Sequence, residues 1–202
     1  MWLSKTKFVG ANLVLEPIQA VHLAPLTSIL KQHDFRHFFL FDAQKTSVER
    51  YLLSAIDNVK SGHLAYALRH RVTDQVIGYL ALEQVDHTHQ RIVFGDVWLS
   101  DPSATLWVLD AYQTLWQHYF VDKKAAVLEI RMPSFQQEVI ALLKSLTLHL
   151  DGHLRQCKRD VHGDVYDMLI FSILRSEWSS MAQRITQHSA AVTLPTNLSI
   201  AC

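Results

Sequence analysis

Carboxylates and imidazoles crowd one stretch of this 202-residue chain: Glu83, Asp86, His87, His89 and Asp96 lie on or between two segments of extended character. Imidazole accepts a proton near neutral pH and a carboxylate does so when its surroundings raise its pKa, so the stretch is the first candidate for a general base. A polar run such as Asp86 to Gln90 is equally what a solvated turn looks like, and twelve histidines are spread over the chain. Elsewhere, His33-Asp-Phe-Arg-His37 sets two imidazoles one helical turn apart with the spacing of a zinc helix. Asp stands there for the usual Glu and no third ligand is identifiable, so no metal is expected. His149 and His153 have similar spacing across a helix-to-strand junction and need not share a face. Cys157 and Cys202 form no C-x-x-C pair, which argues against a disulfide framework and fits a cytoplasmic protein.

The elements that must position these groups follow from periodicity. Asn12 to Glu16 alternates and stops at Pro17, as a short strand does. Leu23, Leu26, Ile29 and Leu30 have helical spacing, and an aromatic loop with Phe35, Phe38, Phe39 and Phe41 follows. Thr46-Ser-Val-Glu49 is a capping box that opens a second helix, which Gly62 should end. Leu64–Arg71, Gln75–Glu83 and Arg91–Ser100 read as a meander of three strands. Pro102 then sits in the first turn of a helix over Ser103–Phe120. Ala125–Arg131 reads as a continuous apolar strand buried on both faces, and another helix starts near Ser134. Leu150–Lys158 and Val165–Leu174 complete seven strands. This order predicts an α+β domain: one central mixed, mostly antiparallel seven-stranded sheet with helices on both faces. Residues 1–180 are expected to form it, and 181–202, which gain Ser, Thr, Asn and Pro, to be a loosely held tail.

Hydrophobic residues make up 49% of the chain, enough for one substantial core. Nineteen basic residues balance nineteen acidic ones, so the composition carries no general attraction to nucleic acid or to an anionic membrane. No run approaches the roughly 18 apolar residues of a membrane span. The apolar run Phe8–Leu15, broken by Gly10 and Asn12, is too short and too polar for a secretory core.

Gly78-Tyr79, Gly95-Asp-Val-Trp-Leu99, Gly152-His-Leu-Arg155, and Asp167 with Phe171-Ser-Ile-Leu-Arg-Ser-Glu-Trp178 stand in this order along the chain. Together they resemble motifs of the GNAT superfamily of N-acetyltransferases, in the branch that includes the ribosomal-protein N-terminal acetyltransferases. The resemblance implies acetyl-CoA as acyl donor, an amine acceptor, and direct transfer in a ternary complex. It also implies a backbone oxyanion donor and pantetheine contacts from Val97, Trp98 and Leu99. The pyrophosphate turn falls on Ser103, Ala104, Thr105 and Leu106, and the family's Asn and Ser on the helix after the fifth strand fall near Gln136 and Val139, or near Ser134 and Gln137 with the alignment shifted by two. The family's Glu of the fourth strand falls on Val93, which leaves Glu83, Asp86, His87, His89 and Asp96 for the base.

Two departures bear on function. The pyrophosphate turn of the family carries glycines that let the backbone approach an anion at a helix N-terminus, whereas this chain has no glycine between Gly95 and Gly152. No Lys or Arg occurs from Asp96 to Asp122, and Asp101 adds a like charge. Two readings therefore stand together: an acetyl-CoA-dependent N-acetyltransferase, or a non-catalytic descendant that keeps the fold for binding or assembly. The aromatic loop and the tail are compatible with a homodimer.

Overall fold

The computed structural model describes residues 2, 5–32, 47–57, 62–101, 104–159 and 163–191, and among these alternation and helical periodicity give eight strands and five α-helices. The strands are β1 (Phe8–Val9), β2 (Leu13–Pro17), β3 (Leu64–His70), β4 (Val76–Asp86), β5 (Arg91–Leu99), β6 (Val127–Pro133), β7 (His149–Arg159) and β8 (Val165–Leu174). The helices are α1 (Ala20–Gln32), α2 (Val48–Asp57), α3 (Thr105–Gln117), α4 (Gln137–Ser145) and α5 (Trp178–Ala191). They form an α+β fold around one sheet of order β1-β2-β3-β4-β5-β6-β8-β7. Every pairing is antiparallel except that of β5 with β6. The sheet has one strand more than the sequence pattern gives, because Phe8–Val9 pairs with Val14–Leu15.

Side chains alternate across each strand, so the sheet has two faces with separate cores. On one face Leu13, Leu15, Tyr66, Leu80, Phe94, Leu128, Ile130 and Phe171 meet α3, α4 and α5 through Tyr112, Trp116, Leu143 and Ile185. On the other, Ala65, Ala67, Tyr79 and Ala81 meet Ile18, Leu26 and Leu30 of the α1 region and Leu52 and Ala55 of α2. Small alanines on the strands let both helices approach.

β5 and β6 run parallel, and α3 is the crossover between them, so the start of α3 and the end of β6 lie at the same end of the sheet. Asp110 of α3 is buried and accepts the backbone N–H groups of Ala11 (2.9 Å), Asn12 (2.7 Å) and Leu13 (2.9 Å). That carboxylate holds the β1–β2 turn on α3, and Gly10 permits the approach, since a Cβ there would lie 2.7 Å from Thr114 Oγ1.

Several expectations change. Ser47 Oγ accepts the N–H of Arg50 at 3.2 Å, so the cap of α2 is Ser47; Thr46 lies outside the described residues, as do the aromatic loop and the His33–His37 pair. Residues past 180 are not all tail: α5 continues to Ala191 with Met181 and Ile185 buried, and its Arg184 donates to the carbonyl of Leu146. Residues 192–202 lie outside the described part. Among the described residues no helix is long and apolar enough to cross a membrane.

Candidate active site

The parallel pairing of β5 and β6 runs from Arg91↔Val127 to Phe94↔Ile130 and then stops. Beyond it, Val97–Leu99 is paired only with β4 and Arg131–Pro133 only with β8, while the Gly95–Asp96 step between has no partner in either ladder. The two strands therefore part at Gly95, at their carboxyl ends, which is where ligands enter open sheets containing parallel strands.

The ladder tells which backbone groups face the gap. Antiparallel pairs alternate between hydrogen-bonded and non-hydrogen-bonded partners. Ser100 donates to the carbonyl of Ile77 at 2.7 Å, so Tyr79↔Trp98 is hydrogen-bonded while Gly78↔Leu99 and Leu80↔Val97 are not. The N–H groups of Val97 and Leu99 thus point away from β4 and into the gap, and that of Trp98 is directed at β4. The Trp98 ring stacks on Tyr79 (5.2 Å between centroids, 10° between planes) and packs against the α1–α2 core.

Two irregularities shape the mouth of the gap. Register shifts between Leu80 and Leu82 and between Leu82 and Gln84 put extra residues on both strands, Glu83 on β4 and the Gly95–Asp96 step on β5. Bulges of this kind re-aim side chains. Glu83 swings across the neighbouring strand, so that a Cβ on Gly95 would meet its Cγ at 2.1 Å and its Oε1 at 2.2 Å. Glycine at 95 leaves the Glu83 carboxyl in the space a side chain would take, and any larger residue would have to displace it. Burial pushes the Glu83 carboxyl above the ordinary carboxylate range, an effect that Arg131 and Lys158 oppose and Glu129 reinforces. A carboxylate held this way is a better base near neutral pH than a solvated one.

Next to it, Glu129 faces Val93 across the β5–β6 ladder. Its carboxylate, buried to 8% exposure, accepts from Arg91 Nη2 on one oxygen and from Arg131 Nε, at 2.7 Å, on the other. The position that the resemblance assigns to the family's glutamate is apolar Val93, and the carboxylates of this region sit on the strands either side of it. β6 is accordingly not apolar on both faces: Leu128, Ile130 and Met132 join the α3–α4 core, while Glu129 and Arg131 line the opposite face. The signal was present in the alternation Leu-Glu-Ile-Arg-Met.

The structure brings some candidates to the gap and leaves others far from it. Glu83, Val97 and Leu99 line it, and Gln136, the residue before α4, lies in the turn after β6 at the same end of the sheet. Asp96 lies on the bulged step of β5. Ala104, Thr105 and Leu106 open α3 at that end too, whereas Ser103 falls outside the described residues. His87 and His89 sit in the β4–β5 turn at the opposite end, and Arg91 alone is about 13 Å of strand from Gly95. There His87 packs on the Trp2 ring (4.7 Å), and Asp86 accepts the N–H of His89 at 3.0 Å, which holds its carboxylate below the usual range. These are the contacts of a structured turn. Leu106 and Trp107 pack against the core and do not form an exposed patch.

For a diphosphate, the first turn of α3 offers small residues at 104 and 105 and no side chain capping the helix; Ala104 donates its N–H to the carbonyl of Asp101 (3.1 Å) and Trp107 to that of Ala104 (2.9 Å), which leaves the N–H groups of Thr105 and Leu106 to face an anion. These features fit an anion despite the missing glycines.

No protein-family model matches this sequence, and no curated protein does. The structure is similar to a GCN5-related N-acetyltransferase from Brucella melitensis (20% identity over 91% of this chain and 85% of that one, TM-score 0.77). It is also similar to a ribosomal α-N-protein acetyltransferase in complex with coenzyme A (15%, 84% and 98%, TM-score 0.69). A third neighbour is a microcin self-immunity acetyltransferase in complex with acetyl-CoA and AMP (16%, 81% and 93%, TM-score 0.67). With its parted parallel strands, its crossover helix and these neighbours, the chain has the fold of the GNAT N-acetyltransferases.

Proposed function

We propose that the chain is a cytoplasmic N-acetyltransferase that transfers an acetyl group from acetyl-CoA to an amine, on a protein N-terminus or a small molecule, directly within a ternary complex. The observation that carries this reading is Glu83: a bulge and a glycine lay a partly buried carboxyl across β5 at the mouth of the gap. Burying a carboxyl there costs desolvation free energy that an apolar side chain of the same size would avoid, and Arg131 and Lys158 offset that cost only in part.

In this reading Glu83 takes the proton from the ammonium form of the acceptor, and its raised pKa suits that task. The N–H groups of Val97 and Leu99 point into the gap about 7 Å apart along the strand, so one of them donates to the acyl oxygen as negative charge grows there and the other is left for the pantetheine arm. Ser103, Ala104, Thr105 and Leu106 hold the diphosphate through the start of α3, and Gln136 and Asp96 border the acceptor. Bound acetyl-CoA supplies the acyl group, already activated as a thioester. Two of the structural neighbours hold coenzyme A or acetyl-CoA.

Calorimetry with acetyl-CoA and a thiol-release assay over a panel of amines test this. Saturable micromolar binding is expected, together with acetyl transfer that falls about 10²- to 10⁴-fold in Glu83→Gln, the usual range for a lost general base. Absence of binding at millimolar acetyl-CoA would end the enzyme reading. It would favour a binding or assembly protein, the reading to which the glycine-free approach to α3 and Asp101 point.

A further inference from the structure

On the face of the sheet opposite α3, the floor beyond Glu83 is built from residues whose register places them side by side. Glu129 pairs with Ser172, Arg131 with Ile170, and Ile170 in turn with Gly152. Lys158 pairs with Tyr166, two steps along β8 from Met168 on the same face. The α1–α2 core ends at Tyr79, Ala81 and Trp98, and among the described residues no helix joins this floor to that core.

We propose that this floor is an acceptor subsite for a carboxylate carried near the amine, with Arg131 as its main ligand and Lys158 as a second positive charge. The inference rests on the acetyltransferase reading, which it extends to the class of acceptor.

Arg131 meets Glu129 through Nε alone. Its Nη1 and Nη2 make no hydrogen bond to other described residues, and its side chain is 37% exposed. The bond to buried Glu129 fixes the guanidinium plane, and a fixed guanidinium edge reads a carboxylate through two parallel N–H bonds. Charge agrees: Arg91, Arg131 and Lys158 set three cations against the two carboxylates Glu83 and Glu129. The floor therefore has surplus positive charge beside the base, in a chain whose formal net charge is zero. Arg131 and Lys158 both act electrostatically on Glu83, so an anion bound to them lies within reach of an amine that Glu83 deprotonates.

The test compares matched acceptors on the full chain. One pair is the peptide amides Ser-Glu-Ala and Ser-Gln-Ala, which carry or lack a side-chain carboxylate; the other is serine and serinamide, which carry or lack an α-carboxylate. In one of the two pairs the acid should have at least a tenfold higher kcat/KM, carried mainly by KM, and the responding pair identifies peptide or free amino acid as the source. Arg131→Gln should bring that ratio close to one, Arg131→Lys should restore part of it, and Lys158→Gln should lower it less. Gln at 131 keeps a donor for Glu129, and circular dichroism melts show whether each variant folds; Lys158→Gln tests the same floor without touching the Glu129 pair. Equal kcat/KM within both pairs, or an unchanged ratio in Arg131→Gln, overturns the subsite while leaving the enzyme reading intact. Calorimetry with the acetylated Ser-Glu-Ala and Ser-Gln-Ala amides needs no turnover. An Arg131-dependent preference for the acidic one in a chain that transfers no acetyl group keeps the subsite and removes the enzyme reading. No preference in that titration, with no turnover, removes both.

Discussion

On a single face of the sheet, β3 and β4 present Ala65, Ala67, Tyr79 and Ala81, whereas from Glu83 onward β4, β6 and β8 present Glu83, Glu129, Arg131 and Ser172. The first half is closed by α1 and α2, whose Leu26 and Leu52 are fully buried; each such side chain contributes about 1.5–3 kcal/mol of stability. In the second half, polar groups are kept at a depth where they cost stability unless paired, and Glu129 is tolerated because two arginines share it. The same strands thus serve two ends. Where they carry small apolar residues they specify a lid of helices, and where they carry charge no helix among the described residues packs on them.

The contrast can be broken most sharply by Ala67→Lys. An unpaired charge under α1 and α2 costs several kcal/mol, against a total stability of about 5–15 kcal/mol, so the variant should lose its cooperative melting transition. A soluble protein with an unchanged Tm would show that the covered half is not a core.

Gly95→Ala should act oppositely, on chemistry more than on folding. The added methyl displaces Glu83, since it would lie about 2 Å from the carboxyl. Acetyl transfer should fall by about 10-fold or more with a shifted pH profile, the behaviour of a misplaced base. A normal rate and pH profile would detach Glu83 from the mechanism.

A smaller effect concerns pH and stability. Glu83 has a raised pKa in the folded state, so between its unfolded and folded values the native protein binds more protons and stability declines as pH rises. Its contribution is most favourable at acidic pH and is lost above the raised folded pKa. Glu83→Gln removes this penalty, so the Tm of the variant relative to the unmodified chain should be higher at pH 8 than at pH 4. A difference that stays constant across this range would mean that the carboxyl is not desolvated.

The smallest expected change is in His87→Ala and His89→Ala, at the far end of β5: kcat/KM and its pH profile should stay within about twofold, as for exposed turn residues generally. A tenfold loss in either would move the chemistry away from the gap.

Much of the architecture was legible in order and period. The meander of β3 to β5, the crossover helix α3 and the β7–β8 hairpin fall within a few residues of where alternation and turn residues place them. Tertiary context overrode local signals in particular places. Gln183 to Ala191 is polar and carries no strong stripe, yet it is helical because Trp178, Met181 and Ile185 find a pocket beside α3 and α4. Phe8–Val9 is too short to be a strand alone, and pairs because Asp110 clamps the turn that follows.

For the site, the sequence by itself determined a supply of acids, bases and cations along three strands, a helix start after β5, and a glycine at 95. It could not rank them, because a strand pattern does not say which end of a ladder stays open. Only the folded sheet decided that His87 and His89 face away from the gap, that Glu83 is bulged across Gly95 toward it, and that Glu129 and Arg131 form one paired floor with Arg91. The physical reason is that register shifts and strand separation arise from contacts between segments distant in sequence, and these set side-chain direction more strongly than local preference does.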